Sequence, residues 1–514
     1  MTENTSKTLE QALWNSANVL RGKMDASEYK NYLLGLIFYR FLSHKTMAAV
    51  IDATGEIGDP IAIYKQYWQD QRDDIIAELY TANGFIIQPD ELFDSLVTRI
   101  QNHQFQVSDL KTALFNLEQS VKGHKSEDDF EGLFSDIDLD SNRLGKNPSQ
   151  VMNDTITALK DIDFDSDRDV LGDAYEYLIS EFAMSAGKKA GEFYTPRTVS
   201  EIIARIVAKG HEDGDNQIRS VYDPAMGSGS LLLTVAGQVT GNKTIAYHGQ
   251  ELNTTTFNLA RMNLMLHGVS FEDIHVRNGD TLDNDWPAQE PYQFDAVVMN
   301  PPYSAHWNND ESRLSEPRFR DYGKLAPKSK ADYAFLLHGL YHLKPSGTMG
   351  IVLPHGVLFR GAAEGKIRQQ LIDSNMIDAV IGLPANIFYS TSIPTVILIL
   401  KKNKATKDVL FIDAINQFTK GKNQNVLSEE NIDKIVSTYD KRQDVEKYAH
   451  VALIDEIKEN DYNLNIPRYV DTFEEEEPID LEAVRQQLKQ DDIEIQKLEK
   501  EIEETLKELG VKIE

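Results

Sequence analysis

The amino-acid sequence predicts an α/β fold: a mostly parallel sheet covered by helices, preceded by a helical region and followed by one heptad-patterned helix. Three observations carry this expectation. Residues 1 to about 165 show helical periodicity and no long strand pattern. After about residue 190, short aliphatic runs alternate with helical segments, as in parallel sheets covered on both faces. From Leu481 onward, leucine or isoleucine returns every seventh residue.

The 514 residues suffice for two or three domains with full cores, and the shifts of pattern divide them into 1–165, 166–470 and 471–514. In the first part, "SEYKNYLLGLIFYRFLSHK" sets Tyr29, Tyr32, Leu33, Leu36, Ile37 and Phe41 at helical spacing, which predicts a core-facing helix. The second part opens with "GEFYTPRTVSEIIARIVAKG", where Thr195 can cap a helix, Pro196 can take its first position and Gly210 can end it. Strands are expected at 218–222, 244–249, 273–277, 294–299, 347–353, 377–383 and 395–401. The third part begins with the acidic run "DTFEEEEPID". Leu481, Leu488, Ile495, Ile502 and Leu509 then form a seam, with Val484 and Leu498 between them. Asp491 and Thr505 interrupt that seam, so the helix either faces a partner or folds back on its own chain.

Composition removes several chemistries. With no cysteine there are no disulfides, zinc–thiolate sites, iron–sulfur clusters or cysteine nucleophiles, and an intracellular, cytoplasmic protein is expected. Val396–Leu400, the longest aliphatic run, is far too short to span a membrane, and no signal peptide is visible. The formal net charge of -29 disfavours binding to phosphate backbones. If the substrate is nucleic acid, a basic partner should carry much of the contact.

Chemistry concentrates at predicted strand ends. In "VYDPAMGSGSLLL" a strand runs into a turn whose Gly227 and Gly229 permit close backbone approach to a ligand. It is neither the dinucleotide fingerprint nor a phosphate loop, and the anion Asp223 at its start suits a cationic ligand group. Glu251 ends the next strand, where a carboxylate can accept two ribose hydroxyls, and Asp280 ends the one after, where it could accept from an adenine amino group. Singly, each acid reads as a solvated loop residue; three successive strand ends are harder to dismiss. "FDAVVMNPPYS" supplies the other half. Asn300 and the carbonyl of Pro301 are acceptors, Pro301 and Pro302 lack donors, and Tyr303 offers a flat ring. This set suits a planar group bearing NH2. Residues 304–330 place Arg313, Arg318, Arg320, Lys324, Lys328 and Lys330 after that turn, as candidates for phosphate contact or as an ordinary exposed loop. His338 and His342 have metal-ligand spacing, but Gly339 stands where a metalloprotease needs Glu, and no metal is expected.

"NPPY" together with "DPAMGSG" resembles the S-adenosylmethionine-dependent amino-methyltransferases, and "GEFYTPR" narrows the likeness to N6-adenine DNA methyltransferases. "YLLGLIFYRFLS", "KADYAFLLHGLYHL" and "LPANIFYSTSIPTVILIL" resemble the modification (M) subunit of type I restriction–modification systems, over nearly the whole chain. Met226 and Ser230 depart mildly from that pattern. The resemblance implies a Rossmann-like methyltransferase domain. Glu192, Phe193, Tyr194, Thr195, Pro196 and Arg197 would wall the cofactor. Asp223 would face its methionine part over Gly227, Ser228, Gly229 and Ser230, with Glu251 on the ribose and Asp280 on the adenine. It implies catalysis by Asn300, Pro301, Pro302 and Tyr303 on an adenine flipped out of DNA. It also implies a specificity (S) subunit, two M subunits around it, and a restriction (R) subunit joining later. Competing readings are a protein glutamine N5-methyltransferase, whose substrate also offers a planar NH2, and a non-catalytic scaffold of the same fold. Methylation at cytosine C5 is excluded by the missing cysteine nucleophile.

Overall fold

The computed structural model describes residues 10, 13–14, 17, 26–160, 168–185, 194–211, 217–239, 244–283, 286–287, 293–389, 391–422, 424–472 and 481–508. Two compact units are present, Met1–Val470 and Asp471–Glu514.

Helices Ala26–Thr54, Pro60–Asp70, Arg72–Asn83, Phe93–Gln101, Val107–Ser120, Pro148–Leu159 and Arg168–Ser185 build the N-terminal region. Local signals start several of them. Asp59 accepts from the Ile61 N–H ahead of Pro60, and Asn147 accepts from Gln150 ahead of Pro148. Tyr29, Tyr32, Leu33, Leu36, Ile37 and Phe41 are all buried, as their spacing predicts. Their core is continuous with Leu259, Met262 and Leu266 of the later helix Thr254–Leu266. Arg261 fastens this junction. Its buried guanidinium donates to the carbonyls of Asp128 (3.0 Å), Asp129 (3.1 Å) and Glu131 (3.0 Å) and to Asn258 Oδ1 (2.6 Å).

The strands are β1 (Ser220–Asp223), β2 (Ala246–Glu251), β3 (Ile274–Asn278), β4 (Phe294–Met299), β5 (Leu343–Pro354), β6 (Ile377–Gly382), β7 (Thr395–Lys401), β8 (Asp408–Asp413), β9 (Thr419–Lys420), β10 (Asn425–Val426) and β11 (Ala449–Leu453). Nine form one sheet in the order β11-β8-β6-β7-β5-β4-β1-β2-β3, and β9 pairs with β10 apart from it. β7 runs antiparallel to both β5 and β6, and β11 antiparallel to β8; the remaining neighbours in the large sheet are parallel. The seven expected strands are all present. β8 and β11 were not expected, because four-residue apolar runs such as "VLFI" do not distinguish strand from buried helix.

Helices cover both faces. Val199, Ile203 and Val207 of Arg197–Ala208 pack with Val221, Ala296 and Ile399 on one side. Tyr333 and Leu337 of Asp332–Tyr341 pack with Tyr222, Val297 and Met299 on the other. Gly339 lets this helix lie close to the sheet, since a Cβ would lie 2.4 Å from Met299 Cε and push that side chain aside. The strand order reverses at β1, with β2 and β3 on one side and β4 and β5 on the other. That reversal opens a crevice at the carboxyl ends of the strands.

Among its described residues the second unit contains one helix, Leu481–Glu508. Val484, Leu488, Ile495, Leu498 and Ile502 are exposed along it, and Leu509 lies outside the described residues.

Candidate functional site

The crevice is built by four strand ends. β1 stops at Asp223, whose buried carboxyl accepts from the Ala225 N–H at 2.9 Å. Burial, reinforced by the nearby charge of Glu251, holds its pKa well above the usual carboxylate range. The chain then turns through Gly227 (φ 54°) and Gly229 (φ 79°), a left-handed conformation that other residues rarely adopt. Gly229 ends the turn by donating to the Met226 carbonyl at 2.8 Å, and the Ser228 and Ser230 hydroxyls meet at 3.0 Å. Met226 is buried over Gly249 of β2, where a Cβ would come within 2.3 Å of its sulfur. The larger residue of this loop is therefore accommodated by a glycine on the neighbouring strand.

Half-buried Glu251 ties two turns together. It accepts from the N–H groups of Gly227 (3.1 Å) and Asn253 (2.8 Å), and burial raises its pKa also. Its own carbonyl accepts from Gly279 (2.9 Å) and from the Asn278 amide (2.7 Å). Asp280 accepts from the Leu282 N–H at 2.9 Å, and the adjacent Thr281 hydroxyl donates to the Pro224 carbonyl. The three acidic strand ends expected from sequence thus stand on one interlocked set of turns.

β4 delivers Asn300. Its Nδ2 donates to the Thr195 hydroxyl at 3.2 Å, and its Oδ1 accepts from the Tyr303 hydroxyl at 2.8 Å. The Tyr303 ring meets Phe388 edge-on, with centroids 6.0 Å apart. Asn300 to Ser304, Thr391 and Ile393 line a cleft of about 280 Å³.

Before β1, Tyr194 is buried and stacks on Tyr389 at 6.2 Å, and Pro196 immediately precedes the helix Arg197–Ala208. The expected helix start is one residue early: no side chain caps it, and the Thr195 hydroxyl turns to Asn300 instead. The exposed Arg197 lies 3.7 Å from Asp173. Glu192 and Phe193 lie outside the described residues.

Two expected phosphate-binding candidates are corrected. Arg313 and Arg318 are buried, because the loop after the Asn300–Tyr303 turn folds back onto the turns at the ends of the sheet. Arg318 donates to the carbonyls of Thr281 (2.9 Å) and Leu282 (2.6 Å), and Arg313 pairs with Asp283. Arg320, Lys324 and Lys328 remain exposed. His338 is fully buried between the Tyr222 hydroxyl (2.8 Å) and Arg318 (3.0 Å), and burial holds it neutral. It is a core histidine.

Sequence reading missed three positions. Leu252, directly after Glu251, is 67% exposed and offers an apolar surface next to that carboxylate in the chain. Gln250 is fully buried beside Gly279, and its amide finds no hydrogen-bond partner among the described residues. Ile393 is 49% exposed in the cleft, and its signal was an isoleucine inside the polar turn "STSIPT".

Comparison with known proteins agrees with this geometry. The profile of the N-6 DNA Methylase family matches residues 166–478, and that of the HsdM N-terminal domain matches residues 9–159. The chain is 38% identical to the type I restriction enzyme MpnII methylase subunit of Mycoplasma pneumoniae over 93% of this chain and 91% of that one. It is 32% identical to the MjaVII methylase subunit of Methanocaldococcus jannaschii over 97% and 83%. The crystal structure of a type I restriction-modification system methyltransferase subunit from Streptococcus thermophilus superposes with a TM-score of 0.87 at 51% identity, covering 91% of this chain and 100% of that one. No described helix is long and apolar enough to cross a membrane. With matched profiles over most of its length, full-length relatives and a shared fold, the chain belongs to the N-6 DNA methylase family, among the modification subunits of type I restriction–modification systems.

Proposed function

We propose that this subunit methylates N6 of adenine in DNA, with S-adenosylmethionine as methyl donor. One observation carries the reading: an Asn carbonyl at the end of β4 stands at the strand reversal beside an acid-floored, glycine-lined cradle. The cradle fits the cofactor by its donors and acceptors. Asp223, buried beside Glu251 with its pKa raised, suits a cationic partner, and the Glu251 carboxylate matches two ribose hydroxyls. Asp280 and Leu252 suit the adenine edge and face. Tyr194 to Arg197, preceded by Glu192 and Phe193, form the wall.

S-adenosylmethionine supplies an electrophilic methyl group on its sulfonium. The chain's own residues then act on the base. Asn300 Oδ1 and the Pro301 carbonyl accept the N6 hydrogens, which raises electron density on a nitrogen whose lone pair is delocalised into the ring. Pro302 stiffens the turn, Tyr303 supplies the flat face, and the cleft with Ile393 houses the flipped base. DNA is reached through a basic specificity subunit, with two modification subunits around it and a restriction subunit added later, in the cytoplasm. The division at 1–165, 166–470 and 471–514 separates scaffold, catalysis and partner contact in this reading.

The test is to incubate the chain and its specificity partner with labelled S-adenosylmethionine, DNA and protein acceptors, and then digest the products. Label in N6-methyladenine is expected. Label in glutamine, or in cytosine, sinks the proposal.

A further inference from the structure

We infer that Thr195 is a positioning residue for the catalytic turn, fixing the Asn300 amide so that its carbonyl faces the incoming amino group. The inference rests on the reading of Asn300 as acceptor and adds what makes that residue competent.

An Asn side chain has two nearly isosteric ends, and its terminal torsion is broad and roughly two-fold. Rotated by half a turn, Asn300 would present NH2 to the NH2 of the base, donor against donor. The orientation must therefore be set by neighbours. Two hydroxyls set it. The Tyr303 hydroxyl donates to Oδ1 at 2.8 Å, and the Thr195 hydroxyl accepts from Nδ2 at 3.2 Å. The Tyr303 end chooses the carbonyl, since a phenol donates more readily than it accepts. The neighbouring Asp332 is engaged by the Ser304 N–H (2.8 Å) and by Arg360 (3.0 Å), and the Tyr303 hydroxyl donates to Asn300 instead. Thr195 completes the clamp from a separate part of the chain, 105 residues earlier in sequence. A carbonyl oxygen carries two lone pairs, so one remains for the base after Tyr303 has used the other.

The contact also explains why Thr195 does not cap its helix. Its side chain is spent on Asn300, and the helix Arg197–Ala208 starts without a side-chain cap. The segment that walls the cofactor side thereby reaches across to the base side of the crevice.

The experiment uses the full chain assembled with its specificity partner. Thr195→Val keeps the shape and removes the acceptor; Thr195→Ser retains it. Thr195→Val is expected to slow single-turnover methyl transfer roughly tenfold to a hundredfold, the scale of a small misplacement at a reacting centre. Cofactor affinity by calorimetry should fall by a much smaller factor than the rate, and the fluorescence of a 2-aminopurine placed at the target position should still report a flipped base. Thr195→Ser should restore most of the rate. In Thr195→Val combined with Tyr303→Phe, both tethers are gone and the loss should approach that of Asn300→Ala. The inference is overturned if Thr195→Val keeps the full rate. It is equally overturned if rate and cofactor affinity fall by the same factor, which makes Thr195 a wall contact only, or if Thr195→Ser does not rescue. Full activity in Asn300→Ala instead removes the underlying reading of the turn, whatever Thr195→Val shows.

Discussion

At the scale of single residues, Asn300 and Asp223 are asked to do opposite things. In the proposed reading Asn300 faces the base, so Asn300→Ala should lower methyl transfer by roughly 10²–10³-fold, the usual loss for one preorganised polar group. Cofactor binding should persist, and calorimetry showing lost affinity in that variant would contradict the assignment. In the same reading Asp223 faces the cofactor, and its burial brings a pH dependence with a definite sign. A carboxyl whose pKa is raised keeps its proton at pH values where an ordinary Asp, near 4, has lost it. A cationic ligand needs the carboxylate, so binding releases that proton, and apparent affinity should fall as pH drops through the raised pKa. Calorimetry over a pH series in buffers of different ionisation heat should detect proton release. Asp223→Asn should bind weakly and lose the pH dependence. A flat affinity profile in the unsubstituted protein counts against this picture.

At the scale of elements, the cofactor loop and β2 act as one piece. Gly249 leaves room for Met226, whose Cβ and Cγ would each lie 3.3 Å from an added methyl group. Gly249→Ala should destabilise by about 1–3 kcal/mol through overpacking, and Met226→Ala by about 2–4 kcal/mol through a cavity. Together they should cost less than their sum by about 1 kcal/mol or more, because the new methyl occupies space the sulfur vacates. Strictly additive urea midpoints would show that the two do not share that space. This coupling was not legible in the sequence, where Met226 was merely a departure from a family pattern. The strand ends were legible, because Asp223 and Asn300 each follow at once on an apolar run, and Glu251 and Asp280 each come within three residues of an expected strand's end. Arg313 and Arg318 were misread as possible surface cations, since a loop's charge says nothing about the carbonyls it will meet once folded. Thr195 was visible as a helix-start signal, and only tertiary structure shows its hydroxyl spent on Asn300.

At the scale of the whole molecule, the net charge of -29 and the heptad seam point the same way. Phosphate contacts dominate affinity for duplex DNA, so the isolated subunit should bind it weakly even at low salt. The helix Leu481–Glu508 is 28 residues long, about 42 Å at 1.5 Å per residue, and exposes Val484, Leu488, Ile495, Leu498 and Ile502. A stripe of that kind is covered either by a second chain or by its own chain, and the proposed reading is the second chain. Deleting 471–514 should abolish copurification with the specificity subunit and site-specific methylation, while the melting of the remaining unit is unchanged. If the truncated protein still assembles and methylates at the full rate, the helix has no such role. Within Met1–Val470, the junction at Arg261 bears on how far the enzyme can be cut down. Four of its acceptors lie on the carbonyls of Asp128, Asp129 and Glu131 and the amide of Asn258, and three of those four belong to the N-terminal region. A fragment beginning at residue 166 would bare the apolar side of Thr254–Leu266 and strand a guanidinium built for burial. The helical region is foundation rather than attachment, and a minimal catalytic fragment of this protein must keep it.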